Sequence, residues 1–386
     1  MNRSLRKLLA PVAIATLLFV GGCTTAGGSA TASNPEIDAK VDKALTEMAE
    51  KVLSKGPHGE EAALASEADL TDEEVAKVKS MGLSAALVMH YGGNDWANAQ
   101  IKGLKDEFGR LGVKILAITD ANFKPDKQVS DIETVMAMNP DIIVSIPTDP
   151  VATSSAYKKA ADAGIKLVFM DNVPEGLQPG KDYVSMVSAD NEGNGVAAAH
   201  LMAKGLGGKG KIGLIFHEAD FFVTRQRYEG FKRTISEQYP DIEMVAEQGI
   251  AGPDFAGDAQ GAANAMLTRH ADLAGIWAVW DVPAEGVMAA ARESGRLDLK
   301  IATQDLGTNV ALAMAKNDLV IGLGAQRPYD QGITEARLAV GSLIGKQAPP
   351  YVALGAVAVE QKNVVDSWKL VFGEEAPANL LEAAGK

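Results

Sequence analysis

The chain has one cysteine, few aromatic residues and fewer positive than negative charges. Its 386 residues include 37 lysines and arginines against 50 aspartates and glutamates, a formal net charge of −13. A surface that binds nucleic-acid phosphates is basic, so nucleic acid is not expected as a partner. A lone Cys23 excludes an internal disulfide. With 47% hydrophobic and 23% charged residues, the composition is that of a folded protein, and the length indicates two to three domains.

The signatures of several enzyme classes are also missing. The five histidines are scattered without the i, i+4 pairing of a helical metal site, so neither a metal nor a cofactor is predicted. Residues 341–345 have the wrong spacing for a nucleophile elbow. The glycine-rich stretch 205–213 closes a helix and leads into a strand, which is the reverse of a phosphate loop. We expect no enzyme; the enzymatic alternative is a glycoside hydrolase with an acid pair among Asp171, Asp281 and Asp305.

The first 22 residues have the pattern of an export signal. Basic residues precede an apolar run over residues 8–20. This run is too short to span a bilayer, which takes a helix of about 20 residues. Small residues precede Cys23, which resembles a bacterial lipoprotein signal and implies that Cys23 is the lipidated first residue of the mature chain. An ordinary secretory signal with an incidental cysteine is the alternative. The protein is therefore expected in the periplasm or at the cell surface, lipid-anchored to a membrane.

Residues 35–80 are acidic and helix-prone, and they carry no recognisable chemistry. Thr71 and Glu74 have the spacing of a helix capping box. This helical extension is interpreted as a spacer, as a collar packed on the main body, or as an arm that binds a partner.

From residue 83 the pattern becomes that of an α/β protein. Continuous apolar runs, typical of strands buried on both faces of a parallel sheet, alternate with amphipathic segments. They form two series, at 83–89, 113–119, 141–146 and 165–170, and at 211–216, 242–247, 274–279 and 299–303. The prediction is two doubly wound Rossmann-like lobes. A later strand at 319–325, a helix at 329–344 and a strand at 351–359 indicate a hinge that the chain crosses more than once.

The predicted boundaries follow from these patterns, with the first crossing near 185–190. They are a signal peptide at 1–22, a tether at 23–34, the extension at 35–80, an N-terminal lobe at 82–189 plus 327–354, a C-terminal lobe at 190–326 plus 355–372, and a tail at 373–386.

Polar and aromatic side chains collect just after the predicted strands. Ligands of open parallel sheets bind beyond the carboxyl ends of the strands. Asp, Asn, Gln and Arg each offer two fixed hydrogen-bonding atoms to neighbouring hydroxyls, and a flat ring covers the C–H face of a sugar. A single Asp after a strand is a helix N-cap about as often as it is a ligand contact. The prediction of a binding site therefore depends on polar residues in eight such loops together. The candidate ligand residues are Tyr91, Asn94, Trp96, Asp149, Asp171, Asn172, Arg227, Phe255, Trp280, Asp305 and Gln326.

Over roughly residues 83–368 the chain resembles the periplasmic sugar-binding proteins of ABC importers, of the ribose-binding type with the type I fold. The matching segments are 86–89, 94–96, 188–191, 224–231, 304–307 and 324–332. The resemblance implies that Asn94 and Trp96 contact the ligand from the first loop, with the indole ring stacked on it. It implies further contacts from Asp171, Arg227, Asp305 and Gln326, and an apolar wall from Phe255.

Three departures from that family put D-ribose in doubt. Asn172 stands where the ribose-binding type has an arginine, Trp280-Asp281 replaces an Asn-Asp pair, and Ala97 replaces an aromatic residue. Pentoses, polyols, inositols and furanose-like signalling molecules all remain open.

The resemblance implies a solute-binding protein that captures a sugar or polyol between two lobes and delivers it to the permease subunits of an ABC importer. It is expected to act as a monomer. The alternative is a ligand sensor that reports to a chemoreceptor or a sensor kinase, since both uses depend on lobe closure. Sugar-responsive repressors share the fold, but an export signal and an acidic segment stand here in place of their DNA-binding helices.

Overall fold

A computed structural model describes residues 34–219 and 221–386. The predicted signal peptide, Cys23 and the tether up to residue 33 lie outside the described residues. The strands are β1 Ser84–Met89, β2 Lys114–Asp120, β3 Ile142–Ser145, β4 Lys166–Met170, β5 Ser185–Ala189, β6 Gly210–His217, β7 Ile242–Ile250, β8 Leu273–Ala278, β9 Lys300–Gln304, β10 Val320–Ala325, β11 Tyr351–Leu354 and β12 Val357–Val359.

Helices alternate with the strands. They are α1 Pro35–Met48, α2 Asp72–Met81, α3 Asp95–Arg110, α4 Pro125–Met136, α5 Ser154–Asp162, α6 Asn191–Gly205, α7 Phe222–Gln238, α8 Phe255–Arg269, α9 Asp281–Glu293, α10 Thr308–Ala315, α11 Pro328–Leu343, α12 Val364–Phe372 and α13 Ala378–Ala383, with 3-10 turns at Ala65–Ala68 and Gln361–Asn363. Within this part of the chain, no helix is both long and apolar enough to cross a membrane.

The strands form two six-stranded sheets, each at the centre of one lobe. Their orders are β11-β5-β4-β3-β1-β2 in the N-terminal lobe and β12-β10-β9-β8-β6-β7 in the C-terminal lobe. Every pairing is parallel except that of β10 with β12. The predicted α/β fold with two doubly wound lobes is therefore confirmed.

Helices cover both faces of each sheet, which explains the continuous apolar runs. On β1, Leu87 packs with Phe108 of α3, while its neighbour Val88 packs on the opposite face with Ile132 of α4. Successive side chains of a strand point to opposite faces, so a sheet covered on both sides needs apolar residues at every position.

The predicted single strand at 351–359 is wrong. β11 lies in the N-terminal sheet and β12 in the C-terminal sheet, and Gly355 and Ala356 connect them. Both halves are apolar, so the pattern alone does not show where the strand breaks, although the predicted lobe boundary falls at residues 354 and 355. With the crossings after β5 and β10, the chain passes between the lobes three times.

The N-terminal extension packs on both lobes. Val41 of α1 is buried among α6 residues of the C-terminal lobe, and Val78 of α2 is buried in the core of the N-terminal lobe. Between them, Ala63 pairs with Val352 of β11. The predicted capping box of Thr71 and Glu74 is present. Of the three interpretations of this segment, the contacts match the packed collar.

The residues predicted as a C-terminal tail also belong to a lobe. Leu380 of α13 is buried in the core of the C-terminal lobe, in the same cluster as Trp368 of α12.

Helices α3 and α11 cross so closely that one position has no room for a side chain. A Cβ at Gly103 would lie 2.1 Å from the carbonyl oxygen of Tyr329. Gly103→Ala should therefore force the two helices apart and lower the free energy of unfolding by about 2 kcal/mol or more, measured by urea denaturation.

Gly109→Ala on the same helix is the matched control. A Cβ there meets nothing within 4 Å. Because alanine is a better helix former than glycine, the free energy of unfolding of this variant should rise by about 0.5–1 kcal/mol. Equal effects of the two substitutions would contradict the close crossing.

Candidate ligand-binding site

A cavity lies between the lobes, at the carboxyl ends of the parallel strands. Its lining comprises His90, Tyr91, Asn94, Trp96, Phe123, Ile146, Asp171, His217, Phe221, Val223, Thr224, Arg227, Trp280, Asp281, Asp305 and Gln326. Eight of the eleven candidate residues are in this set. Most of the candidates that follow the predicted strands therefore lie together in this cavity.

The centre of the site is a buried ion pair in the C-terminal lobe. The Arg227 guanidinium donates to both carboxylate oxygens of Asp305, at 2.9 and 3.4 Å, and to the carbonyl oxygen of Val279 at 3.2 Å. Gln326 donates to the same carboxylate at 2.9 Å. Asp305 has a φ of 64°, a left-handed conformation that Asp tolerates better than most residues. The pair is thus held rigidly, with its charges compensated within the protein.

This pair is linked across the first crossing to the carboxylate of Asp171. Arg227 Nε donates to Asn191 Oδ1 at 2.9 Å, and Asn191 Nδ2 donates to Ser188 Oγ at 3.0 Å. Ser188 Oγ donates to Asp171 Oδ1 at 2.6 Å. One hydrogen-bonded chain therefore connects the polar groups of the two lobes.

The pKa of Asp171 is raised above the usual value of an aspartate. Asp171 is buried at the end of β4, and this burial raises its pKa to about 6. The hydrogen bond from Ser188 and the charge of Arg227 act in the opposite direction, while the charge of Asp305 adds to the rise.

Aromatic rings form the remaining wall of the cavity. Tyr91 stacks on Phe123 with centroids 5.0 Å apart, and Trp280 meets His217 edge-on at 5.5 Å. His90 lies in the same group, with its ring stacked on Phe221 at 6.0 Å. Such flat apolar surfaces suit the C–H face of a cyclic ligand.

Polar atoms on the lining residues are left for a ligand. Asn94 Oδ1 caps α3 by accepting from Ala97 N at 2.7 Å, and the Asn94 side chain also hydrogen-bonds Tyr91. Trp96 Nε1 and Gln326 Oε1 are buried and have no hydrogen-bond partner among the described residues. A donor and an acceptor are thus available in addition to the carboxylates.

Three candidates do not line the cavity. Asp149 accepts from the backbone N–H groups of Val151 and Ala152, as a turn residue does. Asn172 is buried and donates to the carbonyl oxygen of Pro147 at 3.4 Å. Phe255 packs edge-on against Trp280, with ring centroids 4.9 Å apart. It therefore supports the Trp280 ring, which lines the cavity.

The structure also adds residues that the candidate set lacked. Ser188 and Asn191 link the lobes, and Asp281 lines the cavity one position after Trp280. Asp281 follows a predicted strand and was within reach of the strand-end rule. Phe221 follows the end of β6 by four residues and was not among the candidates.

Among residues 34–219 and 221–386, no group of three or more His, Cys, Asp or Glu side chains is placed to hold a metal ion. The cavity instead combines fixed polar groups with flat rings between two α/β lobes. The fold and the site define a two-lobed protein that binds a small polar molecule between its lobes.

Comparison with known proteins gives the family. Residues 85–347 match the model of the periplasmic binding protein domain. The chain belongs to the periplasmic binding protein family, as the sequence resemblance predicted.

Relatives and solved structures agree with this assignment. The ribose import binding protein of Bacillus subtilis is 29% identical over 249 residues, which cover 64% of this chain and 77% of the relative. The D-ribose/D-allose-binding protein of Pseudomonas aeruginosa is 29% identical over 266 residues, covering 68% and 80%. A solute-binding protein of an ABC transporter from Agrobacterium vitis, bound with α-D-tagatopyranose, superposes with a TM-score of 0.69 at 26% identity, covering 76% of this chain and 100% of that one.

Proposed function

We propose that this protein captures a sugar or polyol between its lobes and delivers it to the permease of an ABC importer. The observation that carries the proposal is the interlobe cavity, where the hydrogen-bonded chain from Asp171 to Asp305 faces the rings of Trp96 and Trp280. Relatives with ribose and allose in their names support the same ligand class.

Binding would stabilise the closed arrangement of the lobes. Direct contacts already join the lobes: Asp95 Oδ2 of the N-terminal lobe accepts from Thr308 N at 2.6 Å, and Phe123 meets Phe255 edge-on at 5.4 Å. A ligand that contacts Asp171 and Arg227 touches both lobes only when they are closed. Its binding energy therefore shifts the hinge equilibrium toward that state.

The test is a thermal-shift screen of the protein, as the cell processes it, against pentoses, hexoses, polyols, inositols, amino acids and nucleosides. A ligand at 100-fold over its dissociation constant adds about 2.7 kcal/mol of stability, which raises the melting temperature by about 2–4 °C or more. We expect a shift with at least one sugar or polyol, and we expect that ligand to be recovered unchanged, since no catalysis is proposed. A response to amino acids or nucleosides alone would contradict the proposed ligand class.

Export and anchoring complete the proposal. The mature protein would begin at Cys23, carry a lipid there and work as a monomer tethered outside the cytoplasmic membrane. Cys23→Ser should release the protein from the membrane fraction and abolish incorporation of labelled palmitate. Retention of the label in that variant would contradict lipidation at this residue.

Uptake and sensing are separated by genetics. Deletion of the cognate permease should abolish uptake of the ligand found in the screen. Unchanged uptake, together with a lost chemotactic or transcriptional response on deletion of the binding protein, would favour the sensor alternative.

A further inference from the structure

The charges that line the cavity do not balance. Among its lining residues are three aspartates, a single arginine, and neither lysine nor glutamate. Arg227 is already paired with Asp305. Asp171 and Asp281 therefore face the cavity without an ion-pair partner among the described residues.

Asp281 is the more exceptional of the two. It begins α9, is 6% exposed and accepts one hydrogen bond, from Val282 N at 2.9 Å. Burial first, then the charges of Asp305, Glu285 and Asp95, raise the pKa of Asp281 well above its usual value. Every charged neighbour in that set is a carboxylate, and no cation among the described residues forms an ion pair with Asp281.

Asp171 is in a similar position. Ser188 donates to it, and Gln331 approaches it at 3.5 Å. Behind it lies a further buried acid, Glu335, which accepts from Gln100 at 2.5 Å and whose pKa is raised well above its usual value by burial and by the charge of Asp171. Glu335 and Asp305 therefore place further acidic groups near Asp171, and Arg227, which is the positive group in its surroundings, is already paired with Asp305.

The histidines of the lining do not compensate these acids. Burial, helped by the charge of His217, lowers the pKa of His90 to about 3, and burial lowers that of His217 to about 4. Both rings are neutral at pH 7. The faces of aromatic rings, in contrast, attract cations that lie over them.

We propose that the natural ligand carries a positively charged amine as well as hydroxyl groups, as in an amino sugar or an amino-polyol, with Asp281 as the residue that selects the ammonium. The inference rests on the proposed function, because it uses the same cavity. With a neutral polyol, Asp171 and Asp281 must either take up a proton or stay charged without a partner, whereas an ammonium ligand supplies the counter-charge as it enters and favours the ionised carboxylates. Arg227 and Asp305 would remain the contacts for hydroxyl groups.

The test compares ligands that differ by one amino group. The pairs are D-glucosamine and D-glucose, D-galactosamine and D-galactose, and 1-amino-1-deoxy-D-glucitol and D-glucitol, with N-acetyl-D-glucosamine as the uncharged amide. The melting temperature and then the dissociation constant by calorimetry are measured at pH 7 for the protein as the cell processes it. We expect the amine of at least one pair to bind at least 100-fold more tightly than its neutral partner.

Two variants locate the selectivity. Asp281→Asn removes the charge at nearly constant shape, and we expect the ratio of the two dissociation constants in the responding pair to fall at least tenfold. Glu293→Gln is the matched control: it lies at the far end of the same helix, is exposed and is absent from the cavity lining. Its ratio should change less than threefold.

The outcomes separate this inference from the proposed function. If neutral sugars or polyols bind as tightly as their amines, or if Asp281→Asn leaves the ratio unchanged, the inference is overturned and sugar capture stands. If no sugar, polyol or amine of the two panels binds, both are overturned.

Discussion

Replacing Arg227 by methionine is expected to lower the free energy of unfolding by about 3–5 kcal/mol and to weaken ligand binding by more than 100-fold. The variant leaves Asp305 buried without its partner, which is the costly way to break a buried ion pair. It also removes the donors to Asn191 and Val279, and with them the link to the N-terminal lobe. Urea denaturation measures the first effect, and calorimetry with the sugar or polyol of the screen measures the second.

Two further variants separate stability from binding. Arg233→Met removes an arginine of the same helix, whose ion pair with Glu192 is partly exposed. This variant should lower the free energy of unfolding by less than about 1 kcal/mol. The double variant Arg227→Met/Asp305→Asn removes both charges, and asparagine tolerates the left-handed φ of 64° at that position. It should regain part of the lost stability without regaining affinity. Full stability of the single variant would mean that the ion pair does not support the lobe.

Asp190→Ala is expected to cost at least about 3 kcal/mol of unfolding free energy. Asp190 is fully buried at the first crossing, where it accepts from Leu53 N, Ser54 N, Ser54 Oγ and Gly193 N at 2.8–2.9 Å. Alanine would leave these donors buried without an acceptor, at about 1–3 kcal/mol for each one that water does not reach. Hydrogen exchange at Leu53 and Ser54 should accelerate in the variant, because their amides lose the group that protects them.

Asp254→Ala is the matched control for this prediction. Asp254 caps α8 with the same spacing, accepting from Gly257 N at 3.0 Å, but it is exposed and binds no distant segment. Its loss should cost about 0.5–2 kcal/mol, the usual range for a helix N-cap. Equal costs for the two variants would contradict a role of Asp190 in fixing the extension.

The role of the extension illustrates a limit of the sequence pattern. The caps of α1 and α2 are local: Asn34 accepts from Glu36 N, and Thr71 pairs with Glu74. Helix content in this region was therefore predictable. Nothing in the pattern indicates that residues 53 and 54 meet Asp190, since such a contact depends on how the finished lobes lie beside each other.

The binding site, like the extension, was predictable only in part, because sequence patterns show where the strands end and do not show where side chains point. Parallel strands place their carboxyl ends at one edge, so the residues that follow the predicted strands include Asp171, Arg227 and Asp305. The same rule also selected Asp149 and Asn172, because a turn residue, a buried amide and a ligand contact look alike in sequence. Their different roles follow from side-chain direction, which only packing decides.

By itself, the sequence determined the two α/β series, the helix boundaries at caps and glycines, and the set of loops from which the site is built. These depend on periodicity and on neighbours a few residues apart. The tertiary structure decided that the predicted strand at 351–359 is broken into β11 and β12, that Arg227 is paired with Asp305, and that Asp281 faces the cavity without an ion-pair partner among the described residues. Each of these depends on residues brought together by the packing of two lobes, and no local pattern encodes such a distance.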